Sequence, residues 1–147
     1  MNEGKNLEAE KKERIPIREG YFYEAAPNGE SYLIGSECKL CGYVSFPKRE
    51  VCPSCIKENS QKEIKLSREG KLHSYSVIHV PLPGYPAPYV IGEIKLPEGP
   101  IVTSLITGIE PVEEALGIGD EMELVVGKIT EDKKGNQIIG YMFRPKR

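Results

Sequence analysis

Hydrophobic and polar residues change rhythm near residue 70. From Leu72 to Val80 they alternate with a period of two, which predicts a half-buried strand. Strict alternation puts Leu72, Ser74, Ser76, Ile78 and Val80 on one face, and His73, Tyr75, Val77 and His79 on the other. Further strands are predicted over 89–96, over 101–107, where β-branched residues cluster, over 122–129 and over 137–143. A proline-rich loop, 81–88, joins the first two, and Pro97-Glu98-Gly99 is a turn. Pro111 to Leu116 opens on proline and stops before Gly117, as a short helix does. A polar hairpin at 131–136 precedes the last strand. Five strands with one short helix between the third and fourth is the order of an OB-fold barrel. Its predicted core is Val77, Val90, Ile94, Val102, Ile106, Leu116, Leu124, Val126, Ile138 and Met142.

The first half of the chain is less regular. Residues 1–14 are mostly Glu, Lys and Asn and read as a flexible tail. Residues 15–69 read as an N-terminal segment with a metal ribbon, and 70–147 as the barrel. Tyr21-Phe22-Tyr23-Glu24-Ala25-Ala26 suggests a short helix or turn, stopped by Pro27-Asn28-Gly29. Short strands are predicted at 31–35 and 43–47, and residues 56–69 read as a charged connector.

Between those strands lies the strongest chemical signal. The four cysteines form two pairs, Cys38-x-x-Cys41 and Cys52-x-x-Cys55, with ten residues between them. A two-residue spacer bends the backbone so that both thiolates face one ion. Gly42 supplies backbone freedom after the first pair, and Pro53 stiffens the second. The pattern predicts one tetrahedral ion, Zn2+ ahead of iron. Four thiolates leave no open position, so the site is expected to be structural. A disulfide framework is the alternative, but Met1-Asn2-Glu3-Gly4-Lys5 leads into charge, which predicts no secretory signal and a cytoplasmic protein.

Charge narrows the partners. Net charge over 147 residues is −2, with 39% hydrophobic and 29% charged residues, and no apolar stretch approaches the ~18 residues of a membrane span. Residues 1–69 carry 12 basic and 12 acidic side chains, and residues 70–147 carry 8 and 10. Neither half has the basic excess that binds many phosphates, which argues against nucleic acid.

Catalytic candidates are few. His73 and His79 would stand ~20 Å apart on one strand, too far to share an ion. Glu113-Glu114 reads as a solvated helix start rather than an acid–base pair. No phosphate loop or nucleophile elbow is present. The stiff loop segment Pro83-Gly84-Tyr85-Pro86 is the best contact candidate, with Tyr85 as an exposed anchor facing a partner or a substrate entrance. Lys39, Lys48 and Arg49 place positive charge in the ribbon.

The order of these parts resembles a known family. The carrying residues are Glu24-Ala25, the ribbon Cys38-x-x-Cys41-Gly42 with Pro47 and Cys52-Pro53-x-Cys55, and Gly70-Lys71-Leu72-x-Ser74-Tyr75-Ser76-Val77. Pro88-Tyr89-Val90-Ile91-Gly92-Glu93-Ile94-x-Leu96-x-Glu98-Gly99 and Ile118-Gly119-Asp120-x-Met122-x-Leu124 complete the set. The chain resembles, over roughly residues 20–145, the small proteins that join a rubredoxin-like zinc ribbon to an OB-fold and are encoded beside thiolases. The resemblance implies a mainly β fold and a non-catalytic subunit that docks on a thiolase-like catalytic subunit as a hetero-oligomer. It also implies acyl-CoA as the substrate of the complex, which makes Lys39, Lys48 and Arg49 candidates for CoA phosphates, with one branch serving a benzoylsuccinyl-CoA thiolase in anaerobic aromatic degradation. The competing readings are a free-standing acyl-CoA-binding protein and a nucleic-acid-binding OB-fold protein.

Overall fold

The computed structural model describes residues 13–26 and 29–146. Most of the expected tail, residues 1–12, and part of the turn at 27–29 lie outside the described residues. Among the described residues the protein is all β apart from one 3₁₀ turn at Glu113–Ala115. That turn stands where a short helix was expected. It has no side-chain cap and lasts three residues, and its role is to deliver the buried Leu116 to the core.

Five strands close the barrel: β6 (Glu69–Ile78), β7 (Tyr89–Lys95), β8 (Ile101–Ile106), β9 (Glu121–Glu131) and β10 (Gln137–Pro145). Antiparallel pairs β6–β7, β7–β8, β6–β9 and β9–β10, with a parallel β8–β10 pair, complete the ring. This is the OB-fold order. A short strand, β1 (Arg14–Pro16), runs parallel along the start of β10.

The ribbon forms a second sheet from β2 (Phe22–Tyr23), β3 (Tyr32–Cys38), β4 (Val44–Ser45) and β5 (Gln61–Lys65), with β3 pairing all three others. Two expectations change here. Phe22 and Tyr23 are strand, not helix or turn, because β3 offers them a free edge. The charged connector contains β5, whose Ile64 packs on the core while its charged residues face outward. Lys62 meets Glu37 of β3 at 3.2 Å, and Lys65 stands 4.7 Å above the Tyr32 ring. One apolar residue among outward charges does not look like a strand until β3 lies beside it.

Two register shifts correct the predicted faces. In β6 the shift lies between Leu72 and Ser74, so His73 is the extra residue and alternation reverses after it. Leu72 is therefore buried, and Tyr75 and Val77 pack on the same core from the opposite parity. In β10 the shift lies between Ile138 and Ile139. Ile139 and Phe143 are the fully buried residues, and the expected Ile138 and Met142 are only partly so, because a one-residue slip exchanges the two faces. Val90, Ile94, Val102, Ile106, Leu116 and Leu124 lie buried as expected, whereas Val77 and Val126 flank the core.

Ribbon and barrel share that core. Leu33 of β3 and Leu66, just past β5, belong to the same buried cluster as Leu72, Ile94 and Phe143. Tyr141 of β10 makes edge contacts with Phe46 (5.6 Å) and Phe22 (6.3 Å) of the ribbon. Arg68 ties the joint by donating to Ser31 O at 2.9 Å, while its own carbonyl accepts from Leu124 N–H at 2.7 Å.

A shared core predicts shared unfolding. Leu33→Ala should cost about 2–5 kcal/mol, because Leu33 is fully buried between the two sheets. Metal release and barrel circular dichroism, followed through one denaturant titration, should shift together; two separated transitions would show that the ribbon and barrel unfold independently.

Candidate metal centre and contact surfaces

The two cysteine pairs form matching knuckles. Gly42 N–H donates to Cys38 O at 2.8 Å, and Ile56 N–H donates to Cys52 O at 2.9 Å. The turn requires left-handed backbone at the residue after each second cysteine. Gly42 adopts φ 81° without a side-chain clash. Ile56 does so at φ 64°, where a β-branched residue is strained, and its side chain stands 68% exposed. Comparing the two knuckles residue by residue would have revealed this position from the sequence.

Cys38 and Cys52 are buried, Cys55 is half-buried and Cys41 is exposed, and all four are free thiols. The four Sγ atoms lie within 4.8 Å of one another. The pairs Cys41–Cys52 and Cys38–Cys55 are 3.5 and 3.6 Å apart, well beyond the ~2.05 Å of a disulfide. They are close to the edge of about 3.8 Å that a tetrahedron with ~2.3 Å metal–sulfur bonds would have. Hydrogen bonds reach the same sulfurs. Ser54 and Cys55 N–H each donate to Cys52 Sγ at 3.4 Å, while the Cys38 thiol donates to Ser60 Oγ at 3.4 Å.

These contacts set the thiols apart from one another. The Ser60 hydroxyl, then the Cys41 amide, bring Cys38 down to about 6. The Cys55 amide does most to lower Cys52, against the effect of burial. At Cys55 the largest influence, the Lys57 amide, lowers the pKa, but burial and three neighbouring sulfurs outweigh it and push it to about 11. Four sulfurs this close cannot all be charged without a cation among them. The donor set therefore fits one soft metal ion held by Cys38, Cys41, Cys52 and Cys55, with no ligand position left for water. Ser60, which the sequence reading missed, completes the surroundings of Cys38.

The other candidates are dispersed. Lys48 pairs with Glu63 at 2.8 Å. Arg49 lines a depression shared with Glu50 and Glu58, and Lys39 stands exposed on the first knuckle. His73 and His79 are both exposed, as are Glu113 and Glu114.

The proline loop differs from expectation. Leu82 and Tyr85 exchange backbone hydrogen bonds of 3.1 and 2.8 Å, and Thr130 Oγ1 donates to Gly84 O at 2.8 Å. The loop is thereby folded down onto β9. Gly84 has φ 82°, and a Cβ there would come within 2.8 Å of Thr130 Oγ1. Tyr85 is half-buried, its ring 6.2 Å from that of Tyr89, and so it is not an exposed anchor. Val80 (69%) and Leu82 (54%) are the exposed apolar residues of this region.

The motif residues of the barrel serve as staples. Ser67 donates to Glu98 from its amide (3.0 Å) and its hydroxyl (2.6 Å), and Ser74 Oγ donates to Glu93 at 2.7 Å. Tyr75 Oη lies 2.6 Å from Glu113 O and 2.9 Å from Leu116 O. The Asp120 carboxylate accepts from Gly117 N–H at 2.8 Å, while Leu72 exchanges backbone bonds with Gly119 and Asp120.

The four-thiol knuckles and the closed five-stranded barrel define a ribbon-plus-OB-fold protein. The model of the ChsH2 rubredoxin-like zinc ribbon domain matches residues 29–59, and that of the ChsH2 C-terminal OB-fold domain matches residues 63–127. A DUF35 domain-containing scaffold protein of Methanothermobacter thermautotrophicus is 42% identical, across 78% of this chain and 86% of its own. Benzoylsuccinyl-CoA thiolase subunit BbsA of Thauera aromatica is 37% identical, across 98% of this chain and 99% of its own. The Ltp2-ChsH2(DUF35) aldolase structure superimposes with a TM-score of 0.64 at 25% identity, covering 78% of this chain and 84% of that one. The chain belongs to the DUF35 family of zinc-ribbon and OB-fold proteins.

Two outcomes follow for the metal centre. Elemental analysis of freshly purified protein should find one metal ion per chain, and Cys41→Ser should loosen its retention against a chelator. Ile56→Gly should stabilise the metal-loaded ribbon by about 1 kcal/mol in denaturant titration, because it relieves left-handed strain at an exposed site.

Proposed function

We propose that this protein is a non-catalytic, scaffold-type subunit of a thiolase-type complex acting on acyl-CoA. The observation that carries the reading is the likeness to BbsA along nearly the whole of both chains. The likeness to an aldolase-associated ChsH2 supports the broader part, a small β subunit beside a catalytic one. The chemistry of the described residues agrees. All four thiols are gathered at one metal site, which leaves no cysteine as a nucleophile, and the two histidines lie exposed and apart. The catalytic groups would belong to the partner in a cytoplasmic hetero-oligomer.

In this reading the metal is zinc, a structural ion that holds the ribbon in shape. The ribbon through residue 69 and the barrel from residue 70 act as two faces of one rigid adaptor, since they share a core. The Pro83-Gly84-Tyr85-Pro86 loop faces the partner or its substrate entrance. Its posture is held by Thr130, so it loses little freedom on docking. Leu82 and Val80 supply the exposed apolar surface there. Lys39, Lys48 and Arg49 assist CoA phosphates in this reading, with Lys48 giving up Glu63 to do so. Benzoylsuccinyl-CoA is the substrate that the likeness to BbsA favours.

Two measurements test this. The isolated chain should turn over no benzoylsuccinyl-CoA, and adding it to the thiolase catalytic subunit should give a stable complex with activity. Replacing Pro83-Gly84-Tyr85-Pro86 by a Gly/Ser linker should weaken assembly more than about tenfold and leave metal content unchanged. Turnover by the chain alone would overturn the subunit reading. Unaltered assembly with the linker variant would move the contact to the ribbon.

A further inference from the structure

A groove of about 290 Å³ lies between the N-terminal segment, the inner side of the proline loop and the outer surface of the barrel. Its floor is apolar, built from Ile17, Ile91, Leu105 and Ile129. Four tyrosines ring it: Tyr21, Tyr85, Tyr89 and Tyr141. Arg18 is the one charged residue in the lining, and no Asp or Glu contributes.

That composition is unusual for this chain, which has 22 acidic residues against 20 basic ones. A random patch of such a surface would carry both signs. Arg18 also lacks the partner that an exposed arginine commonly finds. Among the described residues its guanidinium makes one hydrogen bond, to the neighbouring Ile17 carbonyl at 2.9 Å, and no ion pair. Arg14, four residues earlier, is paired with Glu24.

The walls are fixed before any ligand arrives. Ile17 N–H donates to Ile139 O at 2.7 Å, and Tyr21 O accepts from Ile34 N–H at 2.8 Å. Opposite them, the Gly84–Thr130 bond holds Tyr85 in place. Burial first and Tyr21 second raise the pKa of Tyr141, against the lowering effect of Arg18.

We propose that this groove binds an amphipathic carboxylate, with an aromatic or short acyl body on the isoleucine–leucine floor and its carboxylate on Arg18. The size sets the class. Cavities for whole drug-sized ligands run from about 300 to 1,000 Å³, so this one takes a ring or a short chain rather than an entire CoA molecule. The charge sets the head group, since a lone guanidinium at an apolar, acid-free rim favours an anion and pairs with a carboxylate bidentately. The groove shares Leu82 and Tyr85 with the docking loop proposed above, and the test below is run on the chain alone, with no partner.

The full-length, metal-loaded chain is titrated with 2-naphthoate and, separately, with its neutral analogue 2-naphthamide. Amide chemical shifts in NMR report the location. Naphthoate should bind saturably, with Kd about 1 mM or tighter, and move the signals of Tyr21, Tyr89 and Leu105. Arg18→Gln should weaken naphthoate about tenfold or more and leave naphthamide unchanged, because only the acid uses the charge. Thr103→Trp, an exposed position in the lining, should fill the groove and abolish binding of both probes. Both substitutions are on the surface, and an unchanged melting temperature will verify that the fold persists. Shifts scattered outside the groove, equal affinity for acid and amide, or naphthoate binding indifferent to Arg18→Gln would each overturn the proposal.

Discussion

Tyr141 is where the two halves of this protein meet. It projects from the last barrel strand between Phe22 and Phe46 of the ribbon, and its neighbour Phe143 turns inward to the barrel core. The strand that carries it pairs with β9 along its length and divides its other edge between β8 and β1. One element therefore closes the barrel, receives β1 and seats the ribbon. Aromatic contacts of this kind add to area burial because ring edges meet ring faces. They act together with the shared core of Leu33, Leu66 and Leu72 and with the Arg68 bonds in holding the ribbon to the barrel.

The metal centre works on the same problem from the other end. A ribbon of four short strands encloses too little apolar volume to hold itself. Its far tip has no core at all, only two knuckles and four sulfurs. An ion that draws four thiolates together replaces the missing core, and the barrel joint stabilises the near end. Strain is tolerated in this arrangement. Ile56 sits in left-handed backbone at the second knuckle, where Gly42 occupies the first at no steric cost. The side chains of Leu40 and Ile56 at those tips leave apolar surface exposed.

Polar motif residues in the barrel hold the fold together. Glu98 receives Ser67, Glu93 receives Ser74, and Asp120 receives Gly117. Each carboxylate takes donors from a neighbouring strand or turn, so each fastens a join. A barrel fastened at Glu93, Glu98 and Asp120 is suited to presenting surfaces. The acid-free groove beneath the proline loop and the exposed apolar loop residues Val80 and Leu82 are adjoining surfaces of this kind, with Leu82 common to both.

Local rules alone determined a good deal. The spacing of Cys38, Cys41, Cys52 and Cys55 needs only short-range geometry to imply one ion, and the sulfurs do converge. Period-two patterning and turn residues were enough for five barrel strands in OB-fold order, because each signal lies within a few residues. What they could not reach depended on pairing. β5 has a single inward apolar residue and becomes a strand only because β3 lies beside it. The bulges at His73 and at Ile138/Ile139 reverse the buried face, and no pattern along one strand reveals where its neighbour forces an extra residue. Tyr85 looked exposed at the tip of a stiff loop until Thr130, 45 residues away in the chain, drew that loop down. The groove has the same origin, since Arg18, Tyr85, Leu105 and Tyr141 meet only when the barrel closes. Alternation and ligand spacing are local properties of a chain, whereas register, loop posture and concavity are set by contacts between segments far apart in it.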